Sequence, residues 1–117
     1  MGMDFASARQ KMVDNQIRTT DVTSHSVLKA FLDVERQNFV PANMAAVAYI
    51  DDDLEIAAAT DERPARYIME PSPLAKLMQL AEVKKTDLVL EVGCGTGYAA
   101  ALLSLLADSV VALESDE

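Results

Sequence analysis

Glu91, Gly93, Gly95, Gly97 and Glu114 are the residues of this chain best suited to hold a small charged ligand. The chain has 4 glycines, and three of them fall within the run Gly93-Cys94-Gly95-Thr96-Gly97. Glycine permits backbone angles and close approach that a Cβ forbids. Before the run stand Leu88, Val89, Leu90 and Val92, a short apolar stretch that reads as a buried strand. After it come Ala99 to Ala107, rich in alanine and leucine, which read as a helix. Strand, glycine turn and helix make a nucleotide-binding crossover, with unpaired N–H groups and a positive dipole end at the helix start.

The spacing narrows the ligand. A dinucleotide fingerprint requires G-x-G-x-x-G, but Tyr98 stands where its third glycine belongs. A phosphate loop requires Lys-Ser/Thr after the glycines, and none follows. Glu91, two residues before Gly93, would repel a pyrophosphate and suits a ligand with a cationic amino-acid part. A second apolar run, Ser109 to Leu113, ends at Glu114, which lies 21 residues after Gly93. A carboxylate at the end of the next parallel strand is placed to accept both ribose hydroxyls. If the turn were a generic α/β connection, two matched carboxylates would be coincidence.

The run Glu91 to Gly97 resembles motif I of the class I S-adenosylmethionine-dependent methyltransferases, E/D-x-G-x-G-x-G. The resemblance implies an S-adenosylmethionine site formed by Glu91, Gly93, Cys94, Gly95, Thr96, Gly97 and Glu114. It places Glu91 near the methionine end of the cofactor.

The elements that must position these residues come earlier in the chain. Phe5, Ala8, Met12, Val13 and Ile17 predict one amphipathic helix over 4–18. Thr23 or Ser24 caps a second helix whose apolar positions are Val27, Leu28, Phe31 and Leu32, ended by Gln37 to Pro41. Residues 42–50 read as a short helix running into an extended piece. Asp51-Asp52-Asp53 is a solvated turn, since a calcium loop needs alternating carboxylates, a glycine and a distal glutamate. Leu54-Glu55-Ile56 reads as a strand and 57–66 as an irregular loop over a site. Ser72 and Pro73 predict a cap and first helical position, with Leu74, Leu77, Met78 and Ala81 on one face.

Composition sets the class. Half of the 117 residues are hydrophobic and a quarter charged, as in globular proteins. A net charge of −9 argues against a nucleic-acid or membrane partner. One cysteine excludes an internal disulfide. The expectation is a soluble cytoplasmic protein with no metal site. There are no repeats or low-complexity linkers, so 1–117 reads as one unit: a mainly helical region over 1–86, then the first βαβ over 87–117. A doubly wound α/β fold needs further units. Two parallel strands would leave open edges for pairing with a second copy. The reading is therefore the N-terminal part of a Rossmann-like fold, truncated or continued elsewhere.

Met12-Val-Asp-Asn-Gln-Ile-Arg18, Asp21, Val27-Leu28, Phe39-Val-Pro41, Ala48-Tyr49-Ile-Asp51, Leu54-Glu-Ile56 and Pro71 precede Leu90 to Tyr98 in a characteristic order. Together they resemble the N-terminal half of protein-L-isoaspartate O-methyltransferases. This implies methyl transfer from S-adenosylmethionine to an isoaspartyl carboxylate, with a protein or peptide as substrate. A family segment like Gly-Gln-Thr-Ile-Ser-Gln-Pro is replaced here, ending Tyr67-Ile68-Met69-Glu70-Pro71. That loses two hydroxyls, and Glu70 would oppose a substrate carboxylate. A non-catalytic cofactor-binding or interaction protein is the alternative. His25, the only histidine, reads as a surface residue at a helix start. Cys94 reads as a small residue tolerated in the turn, and Tyr98 packs beside the loop or the neighbouring strand. Arg63 and Arg66 read as solvated loop residues, or else as attractors of a carboxylate.

Overall fold

Asp4 opens the first helix by accepting from the Ser7 N–H at 3.1 Å, the capping geometry that satisfies an otherwise orphan donor. The computed structural model describes residues 4–114, so the chain's last residues, Ser115 to Glu117, lie outside it. Helix α1 (Phe5–Met12) gives way to a π-helical turn over Val13–Ile17 and a 3-10 turn over Arg18–Thr20. The single helix expected over 4–18 therefore changes winding midway. The wider turn carries two fully buried residues, Val13 and Ile17, and Gln16 Nε2 donates to the Tyr49 carbonyl at 2.8 Å. Asp21, in the left-handed region at φ 69°, ends the segment.

Ser24 caps α2 (His25–Asp33), accepting from Val27 N at 3.4 Å. Val27, Leu28, Ala30 and Phe31 form its buried face. Two 3-10 turns follow, over Arg36–Phe39 and Ala42–Val47. The stretch 57–66, expected as an irregular loop, has strand residues at both ends: β1 (Leu54–Ala57) pairs antiparallel with β2 (Arg66–Ile68), and only 58–65 connects them. A register shift between Glu55 and Ala57 breaks the alternation, and the second strand is too short to show a period.

Helix α3 (Pro71–Ala81) begins two residues before the expected start. Pro71 rather than Pro73 sits in its first turn at the first position, and Ser72 is not the cap. The Glu70 N–H is taken by Asp53 Oδ1 at 2.6 Å, which fixes the chain at the helix entrance. Its buried residues are Pro71, Ala75 and Met78, whereas Leu77, expected inside, faces outward at 53% exposure. Gln79 ties α3 to the start of α2, accepting from Thr23 N and Ser24 N at 2.8 Å each.

The last unit is β3 (Leu88–Val92), α4 (Tyr98–Ser104) and β4 (Ser109–Leu113). The strands are parallel, in register from Leu88↔Ser109 to Val92↔Leu113. Helix α4 is shorter than the expected 99–107 because the chain turns at Leu105. Leu102 and Leu106 still fill the core beside Phe31, Met12 and Ile17. The β3 strand, expected to be buried, is instead open on the face made by Leu88, Leu90 and Val92 with Val111 and Leu113 of β4, with exposures from 48% at Val111 to 76% at Val92. Among the described residues no helix is long and apolar enough to cross a membrane.

Candidate functional site

The glycine turn is held by the end of the neighbouring strand. Gly93 N and Cys94 N donate to the Leu113 carbonyl at 2.7 and 3.1 Å, and Gly97 N closes on Cys94 O at 3.0 Å. Gly93, Gly95 and Gly97 have φ of +73°, +59° and +91°, the region that favours glycine. At Gly95 space matters as well, because a Cβ there would stand 3.0 Å from Ile56 Cδ1. The hairpin thus closes directly over the turn.

Between them lies a cavity of about 180 Å³. Its polar side is Glu91, the Gly93–Thr96 backbone and Arg66, and its apolar side includes Ile56, Ile68 and Leu74. Glu91 Oε1 is buried and accepts no hydrogen bond from the described residues. Burial first, and the Glu114 charge second, raise the Glu91 carboxyl above its ordinary range. A half-buried carboxylate with an unsatisfied oxygen at a cavity wall is suited to a cationic or hydrogen-bond-donating ligand.

Glu114 follows β4 at the neighbouring strand end. It does not line the cavity, but it is paired with Arg66, which does. Arg66 Nη1 is 2.7 Å from Glu114 Oε2, and Nη2 donates to Gly93 O at 3.4 Å. Arg66 is therefore a strand residue bound into the site, correcting the expectation of a solvated loop arginine.

The replaced segment divides in two. Tyr67 and Met69 line the cavity, whereas Glu70, next to Met69 in the chain, does not. The Glu70 carboxyl is instead raised by desolvation and by the neighbouring Asp51, Asp53 and Asp52. Cys94 is half-buried within the turn. His25 is exposed at the start of α2 and lines no part of the cavity.

Tyr98 has a larger role than packing beside the loop. It is 2% exposed, and its ring meets Phe31 edge-on at 6.2 Å and Phe39 at 5.7 Å. Arg36, fully buried, lies over it with Cζ 4.8 Å from the ring centroid. Arg36 also donates from Nε to Ala48 O at 2.6 Å and from Nη2 to Met69 O at 3.2 Å. Through Arg36 the aromatic core fixes the Met69 wall of the cavity. Nothing in the sequence marks Arg36 as buried.

A glycine turn joining parallel strands, with an acidic residue in the first strand and another just past the second, defines the N-terminal part of a Rossmann-like methyltransferase fold, preceded by helices. The profile of the protein-L-isoaspartate(D-aspartate) O-methyltransferase (PCMT) family matches residues 7–115, and the chain belongs to that family. It is 39% identical over 112 residues to protein-L-isoaspartate O-methyltransferase 1 of Pelobacter propionicus, covering 96% of this chain and 49% of the relative. It is 38% identical to the Geobacter metallireducens protein-L-isoaspartate O-methyltransferase, with the same coverages. A solved protein-L-isoaspartate O-methyltransferase superposes with a TM-score of 0.75 at 29% identity, over 93% of this chain and 34% of the other. A Plasmodium falciparum structure assigned to the same enzyme type, in complex with S-adenosyl-L-homocysteine, superposes at 0.70 and shares the fold at 20% identity, over 99% and 51%. The chain spans about half the length of these curated relatives.

Proposed function

We propose that this chain forms the S-adenosylmethionine-binding part of a carboxyl methyltransferase acting on protein or peptide substrates in the cytoplasm. The observation that carries the reading is Glu91, whose buried oxygen beside the glycine turn has no partner among the described residues. Gly93, Cys94, Gly95, Thr96 and Gly97 would cradle the ligand, Glu91 would take its cationic end, and Glu114 its ribose hydroxyls. The cofactor, when bound, supplies an activated methyl group on a sulfonium. A carboxylate acceptor is already ionised, so the protein's task is to hold it in line and exclude water. That chemistry needs no nucleophile–base pair. The cavity of about 180 Å³ is smaller than the ~300–1,000 Å³ of ordinary small-molecule sites, which supports a floor and one wall of a larger site. Methyl transfer by this chain alone is expected to be slow or absent.

Thermal melting with S-adenosylhomocysteine, NAD and ATP tests the cofactor class. S-adenosylhomocysteine alone should raise the midpoint, and an equal rise with NAD would rule the reading out. For the acceptor, labelled methyl from S-adenosylmethionine should enter an isoaspartyl peptide as a base-labile ester when the protein is completed to its relatives' length. A second reading, a non-catalytic cofactor-binding or interaction protein, is favoured by Tyr67 and Met69 in the cavity wall. Under it S-adenosylhomocysteine binds, no ester forms, and the open strand edges pair two copies.

A further inference from the structure

Arg66 lines the cavity and pairs with the carboxylate that the ribose would use. Its Nη1 is 2.7 Å from Glu114 Oε2, and the two side chains are 27% and 15% exposed. Its Nη2 reaches Gly93 O at 3.4 Å and comes within 3.8 Å of where a Cβ on Gly95 would lie. The guanidinium therefore lies over the glycine turn, forming part of the cavity wall while paired with Glu114.

A carboxylate can accept the two hydroxyls of a ribose diol one on each oxygen, and here one of those oxygens already faces the guanidinium. We infer that Arg66 is a built-in competitor for the ribose site, a latch that must leave Glu114 before the cofactor can seat. The inference rests on the cofactor reading above and adds to it a specific cost of binding. The latch also serves the ligand-free protein. Glu91 and Glu114 are close enough for the charge on one to oppose ionisation of the other, and the guanidinium offsets that repulsion. Release is feasible because Arg66 is partly solvated and sits on a three-residue strand (Arg66–Ile68) beside the 58–65 connection. With the side chains 27% and 15% exposed and both Glu114 oxygens out of solvent, the pair is screened by salt only in part. The latch therefore tunes affinity rather than forbidding binding.

Calorimetric titration of S-adenosylhomocysteine into the unaltered chain, Arg66→Ala and Arg66→Gln tests this, with circular dichroism confirming that each is folded. This ligand is neutral overall, so salt acts mainly on the latch. Both variants should bind about two- to five-fold more tightly than the unaltered chain at low salt. Raising salt from about 20 mM to about 300 mM should narrow that gap by tightening the unaltered chain. Weaker or equal binding by the folded variants would overturn the latch while leaving the cofactor site standing, as would a gap that salt does not narrow. If none of the three proteins binds, the cofactor site itself is refuted and the latch with it. Binding by the variants alone would support both.

Discussion

Replacing Tyr98 by phenylalanine removes a single oxygen atom from the interior, and the structure fixes what that should do. The side chain is 2% exposed; its hydroxyl is buried without a well-formed hydrogen bond among the described residues, as is Arg36 Nη1, although Arg36 lies near enough to favour the phenolate. A buried polar group left unsatisfied costs about 1–3 kcal/mol. Tyr98→Phe should therefore leave stability unchanged or raise it by up to about 2 kcal/mol. Tyr98→Ala is a different perturbation. Truncating a buried aromatic costs about 3–5 kcal/mol, and here it also strips Arg36 of the ring it lies over. Against a total of about 5–15 kcal/mol for a folded domain, that substitution should remove a large share of the stability and lower the urea midpoint accordingly. Urea denaturation followed by far-ultraviolet circular dichroism measures both. The alkaline side offers a second reading of the same atom. Burial, partly opposed by the Arg36 charge, pushes the Tyr98 phenol from 10.0 up to about 12. Because the folded value is raised, stability is intact below pH 10 and is lost as pH climbs toward about 12. That loss amounts to about 3 kcal/mol, and Tyr98→Phe should escape it. A phenylalanine variant less stable by more than about 2 kcal/mol would refute the reasoning by showing that the hydroxyl bonds to Arg36.

The remaining expectations follow from the same geometry. Glu91→Gln should be more stable than the unaltered chain at neutral pH. The raised carboxyl costs nothing below its unfolded value of 4.5 and an increasing amount as pH rises through the folded one; denaturation at pH 4 and pH 7 should show the gap only at the higher pH. The same variant should bind S-adenosylhomocysteine more weakly. Gly95→Ala forces a Cβ onto φ +59° and to 3.0 Å from Ile56 Cδ1, so a loss of about 1–2 kcal/mol is expected, along with weakened ligand binding. Gly97→Ala meets open space and should lose only the backbone part. Leu90→Lys, on the open sheet face at 60% exposure, should change stability by no more than about 0.5 kcal/mol. Light scattering should show less self-association of that variant.

The parts legible in the sequence were those set by local pattern. The β3 strand, the glycine turn and β4 follow from apolar runs around residues that must adopt positive φ. Ser24 declared its cap because the apolar period of α2 begins three residues later. Where two signals were equally good, a distant contact decided. Pro71 and Pro73 both suit a first helical turn, and only the Asp53 side chain, holding Glu70 N, selects Pro71. The β2 strand is three residues long and follows a bulged partner, so no periodicity could reveal it. With β2 unseen, Arg66 had no visible route to Glu114, which is 48 positions away in the chain. Arg36 shows the same limit from another side. A charged residue reads as surface until an aromatic ring and two carbonyls converge on it from separate segments.

The central claim is that the glycine turn and its two flanking carboxylates already form a cofactor site within this chain. Calorimetric titration with S-adenosylhomocysteine, repeated on Glu114→Ala, tests it most directly. Binding at about micromolar affinity, some −8 kcal/mol, and weakened by the substitution, is the result the account predicts. No heat of binding at about millimolar ligand, or an affinity unchanged by the loss of Glu114, would contradict it.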